Sequence, residues 1–303
     1  MFFSSVKVNT IRPGHALTGK KFPKDIEMRS LRSRTFIAGY LTLFCFSGSV
    51  WLAHLRQPTA NAEGLKSAKA DVKRNEGGPI AVVELFTSEG CSSCPPADAN
   101  LQRIETAAAN LDQKVFPLSF HVDYWNRLGW KDPFSQAAFS ERQREYSEIL
   151  NSDTYTPQMV VNGISEFVGS DRRLSDQAIR KALETPPKHT IVLSASETDD
   201  PRRLSFRYQV TGSLSKAQEL PDNVLNIAVA TDLETVSVGR GENGGRKLSH
   251  VWVVKSFQAI PLGSRDGTFE VDQAFVKQKH SRVVAYVQSR STGVISGAFA
   301  LGL

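Results

Sequence analysis

Gly90-Cys91-Ser92-Ser93-Cys94-Pro95-Pro96-Ala97-Asp98 decides how the rest of the chain is read. An apolar, β-branched run, Pro79 to Phe86, comes before it, and that composition predicts a buried central strand. After it, Leu101, Ile104, Ala108 and Leu111 fall on one helical face, which predicts a helix over Pro95 to Leu111. Two cysteines separated by two residues, between a strand and a helix, form a dithiol able to close into a disulfide. Ser92 and Ser93 are uncharged and place no constraint on its reduction potential.

Compartment follows from the N-terminus. The chain of 303 residues carries a formal charge of +6, with 40% apolar residues, enough for a substantial core. Residues 1–62 hold four lysines, five arginines, Asp25 and Glu27, a net of +7, so the remainder sums to −1. Basicity therefore belongs to the terminus, and nucleic-acid binding by the rest has no support. Arg29, Arg32 and Arg34 precede an uncharged stretch, Phe36 to Ala53, followed by Pro58 and Ala60-Asn61-Ala62. This is the pattern of a signal peptide with a small-x-small cleavage site. The 18-residue length of the stretch also admits an uncleaved anchor, the one expected link to a membrane. Met28 is the expected translation start. Either way, the positive-inside rule sends everything after residue 62 out of the cytoplasm, to the periplasm or beyond. Cys45 lies inside the apolar stretch, so the exported part keeps only Cys91 and Cys94. In an oxidising compartment neither has another intramolecular partner. Residues 63–78 read as a polar linker.

Further along, Val115 to Val122 is predicted as a strand, Tyr124 to Lys131 as irregular and Pro133 to Leu150 as helical. Gln158 to Val161 and Glu166 to Val168 are strands joined through Asn162-Gly163, the strongest short hairpin signal. Ser175 is the expected cap of a last helix stopped by Pro186-Pro187. After Pro187 the pattern changes to alternating strands: Thr190 to Ala195, Leu204 to Val210, Val224 to Thr231, Ser249 to Phe257, Thr268 to Val271 and Arg282 to Gln288. Thr292 to Leu301 adds an edge strand. Such spacing predicts an antiparallel, sandwich-like domain over 188–303.

Taken together, the element order over 79–187, with C-x-x-C after the first strand and Thr156-Pro157 before the third, resembles the thioredoxin-like superfamily. The expected fold class is an α/β thioredoxin-like domain followed by an antiparallel β-sandwich-like domain. Glu84-Leu85-Phe86-Thr87-Ser88-Glu89-Gly90-Cys91-Ser92-Ser93-Cys94-Pro95-Pro96-Ala97-Asp98 and Tyr155-Thr156-Pro157-Gln158-Met159-Val160-Val161-Asn162-Gly163 are similar to a narrower family of predicted secreted bacterial proteins known as a domain of unknown function. The superfamily resemblance implies that Cys91 attacks, Cys94 resolves, and Pro157 is a cis-proline facing the dithiol. It also implies a buried acid near Glu84 that relays protons, against which stands a carboxylate merely paired with a basic side chain.

One feature departs from that pattern. Pro95 and Pro96 lack the amides a first helical turn donates, and Pro95 disfavours helical torsions at Cys94. A helix starting at Pro95 would place Cys94 at the positive end of the dipole. The assignment of the nucleophile stays open. His121 is a candidate acid–base group or a metal ligand completing a Cys-Cys-His set, against a plain backbone hydrogen bond. Tyr124, Trp125 and Trp130 are candidates to line a peptide groove, against core packing. Gly239 to Arg246 is expected as a flexible hairpin loop, and His250 as ordinary surface. No cofactor and no resident metal are expected, because C-x-x-C supplies two ligands and no second pair exists. Three functions remain: thiol–disulfide exchange with a protein or small-molecule thiol or disulfide, a secreted binding module with a structural disulfide, and a copper-handling protein.

Overall fold

The computed structural model describes residues 73–74, 77–196, 198–212, 222–276 and 280–303. The expected targeting segment, Cys45 and most of the expected linker lie outside these residues. Inside the linker stretch, strand β1 (Lys73–Arg74) pairs with β6 (His189–Ser196).

An eight-stranded sheet organises the fold. The apolar run after Gly78 forms β2 (Ala81–Thr87), buried at every position. β3 (Val115–His121) runs parallel to it, with Glu84 opposite Leu118. β4 (Gln158–Val161) pairs antiparallel on its other side, and β5 (Ser165–Val168) closes that edge. Asn162 and Gly163 both have positive φ, 48° and 71°, the torsions of a tight hairpin turn, which Ile164 N–H closes on Val161 O at 3.2 Å. Asn162 Oδ1 accepts from Val82 N–H at 2.7 Å and its Nδ2 donates to Ile80 O at 3.0 Å, so the turn side chain extends the β2 ladder.

Beyond β3, the sheet continues through β9 (Lys247–Pro261), β8 (Asn223–Ser237), β11 (Ser281–Ser289) and β12 (Ile295–Gly302), giving the order β12-β11-β8-β9-β3-β2-β4-β5. The join is narrow: β9 pairs parallel to β3 at Ser119 and Val253. The sheet thus runs across residue 187. A second sheet holds β1, β6, β7 (Arg203–Gly212) and β10 (Asp266–Asp272). Between the two sheets, Ile191, Leu193, Phe206 and Tyr208 meet Leu225, Ile227, Val283 and Ala285 in one buried cluster.

Helices cover the β2 region on both faces. α1 (Pro95–Asn110) buries Leu101, Ile104 and Ala108 against Ala81, Val83 and Leu85, together with α3 (Arg172–Leu183). α2 (Ala137–Leu150) buries Phe139 and Tyr146 against Val82, Phe86 and Phe120 on the other face. A four-residue helix, α4 (Gln273–Val276), follows β10.

Two expected helix starts are corrected. α3 is capped by Asp171, whose side chain accepts from Leu174 N–H at 2.9 Å. Ser175 lies inside the helix, where its hydroxyl bonds back to the Asp171 and Arg172 carbonyls. α2 begins at Ala137, because Asp132 turns the chain first: it accepts from Phe134 N–H at 2.9 Å, and its carbonyl takes Ser135 N–H at 3.2 Å. β8 and β9 are also longer than their alternation indicates, 15 residues each. Past the two packed sheets they continue as a ribbon over Leu233–Ser237 and Lys247–Val251, ending in the glycine-rich turn.

Candidate functional site

Cys91 and Cys94 are joined by a disulfide, with Cα atoms 5.4 Å apart. α1 begins at Pro95 with Cys94 as its N-cap. Contrary to the expected effect of a following proline, Cys94 has helical torsions, φ −77° and ψ −38°. The two prolines remove N–H groups that a helix start leaves unpaired in any case. Ala97 and Asp98 supply the first amides, both donating to Cys94 O, at 2.8 and 3.1 Å. Cys94 therefore sits at the positive end of the helix dipole. Cys91 Sγ lies 3.4 Å from the Ser93 hydroxyl. Neither cysteine has exposed surface, while Ser92 and Ser93 between them are exposed.

Pro157 lies beside this helix start. The Thr156–Pro157 peptide is cis. Gly169, whose N–H bonds to Pro157 O at 2.9 Å, fills the gap to α1. A Cβ on Gly169 would stand 3.1 Å from Ala97 Cβ and 3.6 Å from Pro157 Cβ. Trp125 Nε1 donates to Thr156 Oγ1 at 2.8 Å, fixing the loop from its other end.

Glu84 is placed elsewhere. Val83 and Leu85 face α1, so strand alternation turns Glu84 to the α2 face. There Arg142 holds it in a fork, Nε to Oε1 at 2.8 Å and NH2 to Oε2 at 3.0 Å. Tyr286 donates to Oε1 at 2.8 Å, and Tyr146 donates to Oε2. Burial pushes both phenols far above their usual range, and the Glu84 charge adds to this. Burial alone would lower the Arg142 guanidinium, but Glu84 raises it well above its usual value. This is a satisfied structural ion pair. A cleft of about 620 Å³ adjoins it between α2 and strands β8, β9 and β11, lined by Tyr146, Asn226, Phe257 and Gln288.

A second set of titratable groups surrounds the cysteine loop, and sequence reasoning missed most of it. Glu89, two residues before Cys91, is fully buried. Its Oε2 accepts from Trp130 Nε1 at 2.7 Å, and its N–H donates to Asp132 Oδ2 at 2.9 Å. Asp132 Oδ2 also meets His121 Nδ1 at 2.7 Å. Burial pushes the Asp132 carboxyl up, but the His121 imidazole, with N–H groups of Glu89 and Phe134, holds it below its ordinary value. His121 is thus paired with a carboxylate, and its Nε2 is buried without a partner. Trp125 and Trp130 serve the interior through their indole N–H groups.

His250 is the larger correction. It is 1% exposed rather than surface. Its Nε2 lies 3.6 Å from Glu89 Oε1 and its Nδ1 lies 3.5 Å from Asp98 Oδ2. Asp98 Oδ1 in turn accepts from the Thr87 hydroxyl at 3.0 Å. The ring stands edge-on to His121, with centroids 4.6 Å apart. The expected flexible loop before it is pinned. Asn243, fully buried, donates from Nδ2 to both Glu89 O and Cys91 O at 2.9 Å. Glu242 accepts from Ser92 N–H at 3.0 Å, and Gly239 and Gly241 lie against Trp130. A bulkier residue at either glycine would press on that indole. The β8–β9 ribbon thus delivers three side chains to the cysteine loop. One sequence signal pointed there: His250 occupies the inward register between Leu248 and Trp252 in an apolar strand. Among the described residues, no three His, Cys, Asp or Glu side chains are grouped to hold a metal ion.

Comparison with known proteins gives a family and a fold. The family model described as protein of unknown function (DUF1223) matches residues 82–288, a span that includes the cysteine loop, Pro157, Asn243 and His250. An X-ray crystal structure of an Agrobacterium tumefaciens protein is 28% identical, with a TM-score of 0.52, covering 75% of this chain and 96% of that one. HBP35 of Porphyromonas gingivalis is 16% identical, with a TM-score of 0.51, covering 75% and 76%, a likeness of fold alone. No curated protein matches the chain.

Proposed function

The chain belongs to the DUF1223 family of proteins of unknown function, and from that premise we propose that it is an extracytoplasmic thiol–disulfide oxidoreductase. Its working group is the Cys91–Cys94 pair, and its partner is a protein or a small molecule bearing thiols or a disulfide. The observation that carries this reading is the position of the disulfide, at the start of α1 with Cys94 as N-cap. A helix N-terminus stabilises a thiolate, which is the attacking and leaving species in exchange. Pro157 beside the same turn and the signal-like N-terminus support the thioredoxin-like and exported parts of the reading.

The step is balanced by the partner. A thiolate of a reduced partner attacks one sulfur of the pair. The sulfur–sulfur bond breaks, and its electron pair leaves on the other cysteine. A second thiol of the partner then loses its proton and displaces the first cysteine. Two electrons and two protons pass to the pair, and the partner leaves as a disulfide. The reverse direction reduces the disulfide of a partner and re-forms the Cys91–Cys94 bond.

A second reading is favoured by one observation, the complete burial of both cysteines. On that reading the disulfide stays closed and staples the turn, and the exposed surface binds a partner. Trapping separates the two. The Cys94→Ser protein should hold a mixed disulfide through Cys91, as the resemblance implies. If only the Cys91→Ser protein holds one, the roles are reversed. A disulfide that resists reduction below about −300 mV, the range of structural disulfides, together with no insulin reduction, would sink the exchange reading.

A further inference from the structure

We propose that His250, clamped between the carboxylates of Glu89 and Asp98, sets the stability of the thiolate released when Cys91–Cys94 opens, and through it the reduction potential of the pair. The inference rests on the exchange reading for its purpose, but the potential is measurable without it.

Position is the first argument. Both carboxylates that clamp the ring are tied to the cysteines. Glu89 precedes Cys91 by two residues, and their carbonyls share one donor, Asn243 Nδ2. Asp98 follows Cys94 by one helical turn, about 5.4 Å of rise, and its N–H bonds to Cys94 O at 3.1 Å. His250 spans these two points, with ion-pair distances of 3.6 and 3.5 Å.

Burial is the second. Ionic groups taken out of water are strongly disfavoured unless paired. Here three of them, Glu89, Asp98 and His250, are at most 5% exposed. Both ring nitrogens and Glu89 Oε1 lack a direct hydrogen bond, so the clamp acts by charge more than by contact. Packing alone would be served as well by an apolar side chain in this apolar register. Around the ring, every facing group is accounted for. His121 is held by Asp132, Phe134 contributes an edge at 6.2 Å, and Glu234, opposite on β8, is taken by Lys255 at 2.8 Å and Thr231 at 2.9 Å. Burial pushes the His250 pKa down, but Asp98 and Glu89 raise it to about 10, so the ring is a cation at neutral pH.

The sign follows. A cation held against Asp98, itself one turn into the helix that Cys94 caps, stabilises the thiolate and therefore the reduced pair. The carboxylates oppose it. When dithiothreitol reduces the pair, its first thiolate breaks the sulfur–sulfur bond, and its second thiol closes the reagent ring and frees the other cysteine. The reagent is oxidised and the protein gains two electrons. Protons from the reagent settle on whichever sulfurs are not held as thiolates.

The test is the equilibrium of the full chain with dithiothreitol at pH 7. His250→Gln should shift it about tenfold toward the disulfide, a potential about 30 mV lower. Asp98→Asn, with Glu89 still facing the ring, should shift it the other way by a similar factor. Opposed shifts from two neighbours are an electrostatic signature that loosened packing does not produce. Circular dichroism checks folding, and if His250→Gln fails to fold, the direction of the Asp98→Asn shift decides alone. Unmoved equilibria, or shifts of one sign, overturn the proposal. So does one Zn²⁺ bound per wild-type chain and lost in His250→Gln, because the free nitrogens would then be ligands. Opposed shifts in the two variants, with a wild-type protein that reduces no insulin, sink the exchange reading alone. One that reduces insulin with unmoved equilibria sinks this inference alone.

Discussion

At the scale of single residues, His250 ties the stability of the molecule to pH. Its folded pKa, about 10, is raised from the ordinary 6.5 by Asp98 and Glu89 against the opposing effect of burial. A raised pKa means the folded chain binds the proton more tightly than the unfolded chain does. The contribution is therefore complete below pH 6.5 and is lost as pH rises toward 10. Its size is on the order of a few kcal/mol. Urea unfolding of wild type and His250→Gln at pH 6, 8 and 10 should show a stability gap that narrows as pH rises, and a constant gap would remove the clamp. Asp132 acts at the other end: its folded pKa is lowered, so its contribution is present above the unfolded carboxyl value and is lost as acid is added. Cys91, Cys94 and Pro157 were legible because their signals are local words in the chain. Asn243 and His250 were not, because they reach the cysteine loop from more than 140 residues away in sequence, through contacts that no short pattern encodes. Glu84 was legible as a buried strand acid, but its partner Arg142 sits 58 residues on, so its face could not be read from spacing alone.

At the scale of elements, the Asn162–Gly163 turn shows what a short signal fixes. Its dipeptide identifies the hairpin, but a two-residue turn would pair Val161 with Ile164; the strands instead pair Val161 with Ser165 through Gln158 with Val168, so Ile164 joins Asn162 and Gly163 in a three-residue connection. What the dipeptide does not reveal is a neighbour. The turn between β11 and β12 lies against Gly163, where a Cβ would stand 1.9 Å from Gly293 O. Gly163 has φ 71° as well, so a side chain is opposed by torsion and by contact. Gly163→Ala should cost more than about 1 kcal/mol in urea unfolding, with loss of amide-exchange protection at Ile295, whose N–H bonds to Asn162 O at 3.0 Å. Protection that persists at Ile295 would mean the turn yields without disturbing its neighbour. Helix starts were less legible for a related reason. Asp132 and Asp171 each accept local N–H groups, and which of several polar residues captures the chain end is settled by what the next turn buries.

At the scale of the whole molecule, the alternating strands after Pro187 read correctly as strands, but their partners were beyond reach of periodicity. β9 joins β3 at a single register position, Ser119 with Val253, which leaves no motif. The consequence is that residues on both sides of 187 share a core. Phe120 and Tyr146 pack with Ala228, Val254 and Tyr286, and Tyr286 bonds to Glu84 at 2.8 Å. A fragment ending at 187 would expose Phe120 and Leu118 beside the open edge of β3 left by β9 and leave the Glu84–Arg142 pair without Tyr286 and Gln288. Exposed apolar strand edges recruit other chains. We therefore expect residues 79–187, expressed alone, to aggregate or to lack a cooperative transition. With Trp252 replaced by phenylalanine, the chain from residue 63 should unfold in urea in one step, with tryptophan fluorescence and circular dichroism coinciding, because the remaining Trp125 and Trp130 lie before residue 187 and most strands after it. A soluble 79–187 fragment with a sharp transition of its own, or two separated steps in the longer chain, would show that the sheet is continuous in geometry but divided in stability. It would also place the cysteine loop in a unit that holds its shape without His250 and Asn243.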